Sequence, residues 1–127
     1  MRRVFKTRSF GRWMRKTDLT DRVLCDAVAE MARGLIDADL GGGVVKKRVA
    51  LPGRGKSGGA RMLVATNKDN RWFFMFGFEK KDQANVSAKE LEALQAIAAD
   101  LFILSSTQLD AHVEDAALLE ICHDSEK

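Results

Sequence analysis

Tyrosine is absent from this chain of 127 residues, proline occurs once and histidine twice. No apolar run approaches the ~18 residues of a membrane-spanning helix. The basic start, MRRVFKTRSFGRW, is not followed by a continuous apolar stretch, so no secretory leader is expected. The two histidines, His112 and His123, stand in an acidic C-terminal stretch with no cysteine or carboxylate partner at ligand spacing, and they are expected on the surface. No serine occupies a nucleophile elbow and no paired-cysteine zinc motif occurs. Metalloenzymes and triad hydrolases are thereby excluded, and no metal or cofactor is expected. The two cysteines, Cys25 and Cys122, are far apart in sequence; the expectation is two free thiols in a reducing cytoplasm.

What is present is an ordinary globular composition, 46% hydrophobic and 31% charged, at a length suited to one core. The net charge of +3 hides an asymmetry. Residues 1–81 hold 19 Lys/Arg against 8 Asp/Glu, whereas residues 82–127 hold 2 against 10. A basic body of this kind predicts a polyanionic partner, usually nucleic acid, against the simpler reading of a solvated basic surface.

Arg3–Lys6 reads as a first strand, and Ser9 as the cap of a short helix carrying Phe10, Trp13 and Met14. Thr20 caps a longer helix with Leu19 and Leu24 as its hydrophobic staple, and Val23, Leu24, Ala27, Val28, Met31 and Leu35 form its buried stripe. Gly34 and the Gly41–Gly43 run end that region. From Val44 the period becomes two, predicting strands over Val44–Ala50, Ala60–Thr66 and Arg71–Phe78. A loop over Pro52–Gly59 and a tight hairpin over Asn67–Asn70 join them. Trp72–Phe76 is apolar on both faces, as in a central strand; its aromatics are read as core rather than as stacking platforms.

Ser87-Ala88-Lys89-Glu90 is a capping box stapled by Val86 and Leu91, opening a helix that buries Leu91, Leu94, Ile97, Ala98 and Leu101. Thr107 caps a last acidic helix that buries Leu109, Val113, Ala116 and Leu119. The expected fold is α+β: a small antiparallel sheet, made of the N-terminal strand and a three-strand meander, with the two N-terminal helices and the C-terminal helices packed on it. Residues 1–105 form the expected domain and 106–127 an acidic extension.

The strand cations carry the chemistry. Period two puts Lys46 and Arg48 on one face of their strand. Arg61 interrupts an apolar run on the next strand, where a cation is costly unless it faces a cleft or an anion. Lys80 and Lys81 follow the central strand directly. Gly53-Arg54-Gly55-Lys56-Ser57-Gly58-Gly59 is not a phosphate-binding P-loop, because the required first glycine is Ala50 and a strand rather than a helix follows. Arg54 and Lys56 stand either against a nucleic-acid backbone or in a solvated hairpin loop.

Three segments, Gly-Gly-Gly-Val-Val-Lys-Lys-Arg-Val-Ala, Gly-Lys-Ser-Gly-Gly-Ala-Arg and Phe-Met-Phe-Gly-Phe-Glu-Lys, together resemble the RelE/ParE toxin superfamily, most closely its HigB-like branch, over about residues 2–105. The resemblance implies a toxin held inactive by a cognate antitoxin, typically a helix-turn-helix protein, and acting on mRNA at the ribosome without a membrane. It implies a catalytic set of Lys46, Arg48, Arg61 and Lys80; beside them Lys47, Arg54, Lys56 and Lys81 are the expected RNA-binding residues. RNA supplies its own nucleophile, the 2′-hydroxyl, so aligned cations suffice. Lys46, crowded by Arg48, Arg61 and Lys47, is placed as general base, Arg61 as the phosphate clamp, and Lys80 or Arg48 as the acid. Many relatives add a tyrosine at the sheet or tail; here its role is absent or falls to another residue such as Phe78. The rival implications are a ParE-like gyrase inhibitor, against which the convergent cations argue, and a non-catalytic RNA- or ribosome-binding domain.

Overall fold

The computed structural model describes residues 2–51 and 55–123. The chain runs β1 (Arg3–Thr7), α1 (Arg8–Met14), α2 (Asp21–Ala32), β2 (Ala38–Gly41), β3 (Val44–Leu51), β4 (Gly55–Thr66), β5 (Arg71–Glu79), α3 (Ala88–Phe102), α4 (Ser106–Glu114) and β6 (Leu118–Ile121). It is an α+β fold on one six-stranded sheet of order β2-β3-β4-β5-β1-β6. The expected meander is β3-β4-β5, antiparallel throughout. The sheet as a whole is mixed, however, because β1 lies parallel to β5, with Val4 opposite Trp72. Two short strands escaped the sequence reading: β2 on one edge and β6 on the other, the latter antiparallel to β1.

The strands' two-residue period divides the core into two layers. On one face Val45, Met62, Val64, Trp72 and Phe74 pack under α1 and α2 through Phe10, Met14, Leu24, Val28 and Met31. On the other, Phe5, Val44, Leu63, Ala65, Phe73 and Met75 pack under α3 and α4 through Leu94, Ala98, Leu101 and Leu109. The central strands are therefore covered on both sides, which is why Trp72–Met75 reads as unbroken apolar sequence. Three residues expected in buried stripes are exposed: Leu35 lies beyond the end of α2, Ile97 is 44% exposed on α3, and Ala116 lies beyond the end of α4.

Helix caps largely follow the sequence. Thr20 accepts from the Val23 amide, and Leu19 and Leu24 are both buried beside it. Ser87 and Glu90 form the reciprocal box at α3. The bond from the Ser87 amide holds the Glu90 carboxyl below the usual glutamate range. Two caps differ: Thr7 rather than Ser9 caps α1, and Ser105 with Gln108 rather than Thr107 caps α4. The segment 52–59 is less of a loop than expected, since β4 already begins at Gly55, opposite Leu51.

The acidic end is tied to the first strand. Arg3 on β1 donates through Nε and Nη2 to Glu120 on β6 (2.9 and 2.8 Å), and through Nη2 to Asp110 on α4 (2.8 Å). These carboxylates, Glu120 foremost, raise the Arg3 pKa further above its already high value. The expectation of two free thiols is corrected: Cys25 of α2 and Cys122, one residue past β6, are joined by a disulfide, their Cα atoms 5.6 Å apart. Sequence separation hid this pairing, because β6 returns to the sheet beside β1 and so reaches α2.

Candidate nucleic-acid interface

β3 and β4 pair so that Arg48 lies directly opposite Arg61, and Lys46 opposite Leu63. Leu63 belongs to the layer under α3, so all three cations rise from that same face. Across the next ladder Arg61 faces Phe78 and Leu63 faces Phe76. Two rows thus cross the sheet, Lys46–Leu63–Phe76 and Arg48–Arg61–Phe78. A bulge between Leu63 and Val64 leaves Met75 as the extra residue of β5. Such an insertion turns consecutive side chains to one side, and both Met75 and Phe76 pack with the α3 layer.

Each cation is held differently. Arg61 is 7% exposed and donates to the Gly59 carbonyl at 3.4 Å. Arg48 is half exposed and clamped by Asp37, whose carboxylate accepts from the Arg48 amide at 2.6 Å and from its Nε at 3.3 Å. Lys46 reaches across to the Asn85 side-chain oxygen at 3.5 Å, in the segment leading into α3. The Lys80 amide donates to the Gly59 carbonyl, extending the β4–β5 ladder two residues past the Arg61–Phe78 pair. The two-residue period places Lys80 on the same face, with an exposed side chain. Two like charges set directly opposite on a sheet repel. Asp37 offsets part of that charge, and the remainder makes this face attractive to an anion.

Lys46, Arg48, Arg61 and Lys80 are therefore brought to one face, but Lys47 is not. Its period sends it into the α2 layer, where it is 3% exposed, ion-paired to Glu30 at 2.7 Å and bonded to the Leu35 carbonyl at 2.9 Å. Lys47 is buried structure rather than ligand-facing surface. Lys81 is exposed beside Glu79, 4.0 Å away. Arg54 and the Lys56 side chain lie outside the described residues. Phe78, offered as a stand-in for tyrosine, is only 3% exposed, and Phe76 is the more accessible ring. Asp37 and Asn85 were not singled out from sequence. Neither lies on the strands that bear the cations, and nothing in local periodicity marks a residue whose partner is eleven or thirty-nine positions away.

The structure is that of a small α+β protein with four cations on one face of its sheet, and among the described residues no group of three or more His, Cys, Asp or Glu could hold a metal. A search of curated proteins gives no match. The family model described as RelE toxin of RelE / RelB toxin-antitoxin system matches residues 2–121, from the first strand to the last. The chain belongs to this RelE family; it is a toxin of a toxin–antitoxin system and has an antitoxin partner. No helix among the described residues is long and apolar enough to cross a membrane.

Proposed function

We propose that this toxin is a metal-independent endoribonuclease that cuts mRNA on the ribosome in the cytoplasm and so stops translation. Supporting this reading above all is the cross-strand placement of Arg48 opposite Arg61, with Lys46 two residues along the same face. A protein that only bound a protein target would have no need of like charges set against each other on a sheet.

In the proposed reaction Lys46 takes the proton of the RNA 2′-hydroxyl, whose oxygen attacks the adjacent phosphorus. The bond from phosphorus to the 5′-oxygen breaks as Lys80, exposed at the rim, gives that oxygen a proton. The products are a 2′,3′-cyclic phosphate and a 5′-hydroxyl. Arg61 holds the non-bridging oxygens, and its burial lets it meet the growing charge with little reorganisation. Arg48, held by Asp37, serves as a fixed charge that positions the phosphate. The HigB-like segments support a helix-turn-helix protein as the antitoxin.

The test is Arg61→Ala beside Arg61→Met, which keeps more of the buried bulk. Each is expected to lose ~100- to 1000-fold in cleavage rate while melting cooperatively. RNA with a single 2′-deoxy sugar at the cut site should resist the wild-type protein, and cleavage should persist in EDTA. A folded Arg61 variant of undiminished rate would overturn the site. Cleavage of the 2′-deoxy substrate would overturn the mechanism.

A further inference from the structure

Phe76 ends one row of the candidate site and also opens onto a second feature. Between α1 and α3 lies an opening of about 500 Å³, with Met75, Phe76, Leu94 and Ile97 as its apolar floor and Arg8 and Arg12 on its rim. Among the described residues no carboxylate lines it. Arg8 donates through Nε and Nη2 to the Ala116 carbonyl, both at 3.3 Å, which orients the guanidinium without neutralising it. Arg12 is exposed, with no hydrogen-bond or ion-pair partner for its side chain among the described residues. Spaced i, i+4, the two arginines stand on one side of α1. Ile97, which helical spacing would bury, is instead left open to this groove.

We propose that this groove carries the single-stranded RNA next to the scissile phosphate. Arg8 and Arg12 hold its backbone and Phe76 presents its ring to a base. The inference rests on the RNA-cleaving reading of the sheet face and extends it. From Lys46 to Phe76 is two strand spacings, roughly 10 Å, so the groove begins where a strand gripped at Arg61 would leave the cation rows. A positive rim over an accessible aromatic is the arrangement that binds single strands without regard to sequence, by charge on the backbone and stacking on the base. A protein helix in the same groove would find an apolar floor but no acidic partner for its own cations, and it would leave both arginines to be matched. The apolar floor alone would not choose between these occupants; the paired arginines favour the polyanion.

The experiment measures binding of non-cleavable 2′-O-methyl RNA, a dinucleotide and an octanucleotide, by fluorescence anisotropy over a range of salt. Arg8→Ala/Arg12→Ala is expected to weaken octanucleotide binding at least tenfold. It should also flatten the slope of log K against log salt by about 1.4, at ~0.7 for each phosphate no longer neutralised. The dinucleotide should lose far less. Arg15→Ala/Lys16→Ala removes the same charge from exposed positions outside the groove and is expected to cost less than threefold. Because Arg8 also holds the Ala116 carbonyl just past α4, Arg12→Ala alone, which breaks no side-chain hydrogen bond or ion pair among the described residues, should show at least threefold of the loss. Equal losses in the two double variants, or equal losses on both RNAs, would overturn the groove while leaving the sheet site standing. A wild-type protein that neither binds nor cuts RNA would instead overturn the underlying reading.

Discussion

Replacing Lys47 by methionine separates a structural cation from a ligand-binding one. Lys47 stands between Lys46 and Arg48 in sequence, yet its ammonium is 2.7 Å from Glu30 and 2.9 Å from the Leu35 carbonyl, with the side chain 4% exposed. Methionine keeps an unbranched stem of similar length opposite Met62 and deletes the charge. A charged donor lost from a neutral carbonyl costs about 1.5–3 kcal/mol, and the broken ion pair adds to this. Against these stands the desolvation that a buried ammonium no longer suffers. The Glu30 carboxylate is 37% exposed and turns to water more readily than a sealed one, which discounts the pair. A net loss of about 2 kcal/mol follows, or a fall in Tm of roughly 6–8 °C for a domain of this size. The assay is a thermal melt followed by circular dichroism, run beside RNA binding well below the new Tm. Binding should fall less than twofold. An unchanged Tm with collapsed binding would refute the burial argument and return Lys47 to the ligand-facing set.

Two further outcomes follow from the fold. The Cys25–Cys122 disulfide closes a loop of nearly 100 residues, for which chain entropy gives about 4–5 kcal/mol. Dithiothreitol should therefore lower the wild-type Tm by at least 5 °C and leave that of Cys25→Ser/Cys122→Ser unmoved; a wild-type Tm indifferent to reductant would sink the assignment. The Glu90 carboxyl is held below its ordinary range in the folded chain, chiefly by the Ser87 amide. A depressed folded pKa means its contribution is complete above the unfolded glutamate value and lost as pH falls through the folded one. The wild type should thus lose more Tm than Glu90→Gln between about pH 5 and pH 3, since glutamine keeps the capping box without the charge. Parallel Tm–pH curves would count against it.

Legibility in the sequence followed locality. The Ser87–Glu90 box, the Leu19/Leu24 staple and the period of β3 are each written within a few residues, and each reappears in the structure. The same period that set Lys46 and Arg48 together also set Lys47 apart, but the charge run drew all three into one reading. What was missed is non-local. β2 and β6 are four residues each, too short to show a period, and exist because β3 and β1 offer them an edge. The parallel pairing of β1 with β5 spans 68 residues and has no local signature. Asp37 and Glu30 acquire meaning only once β3 is laid beside them.

The place of β1 in the sheet has a consequence for how the molecule comes into being. This strand precedes the other five in sequence, yet one neighbour is β5 and the other is β6, whose Ile121 pairs with Val4. The meander that carries Lys46, Arg48 and Arg61 needs only short-range pairing, whereas β1 needs the last of the six described strands. A product that stops short of Leu118 therefore has its charged face assembled while one side of β1 stands bare. Its amides and carbonyls there are a template for any passing strand. Chains of this toxin that lack β6 are the ones most exposed to clumping, and a strand of only four residues is what covers that edge.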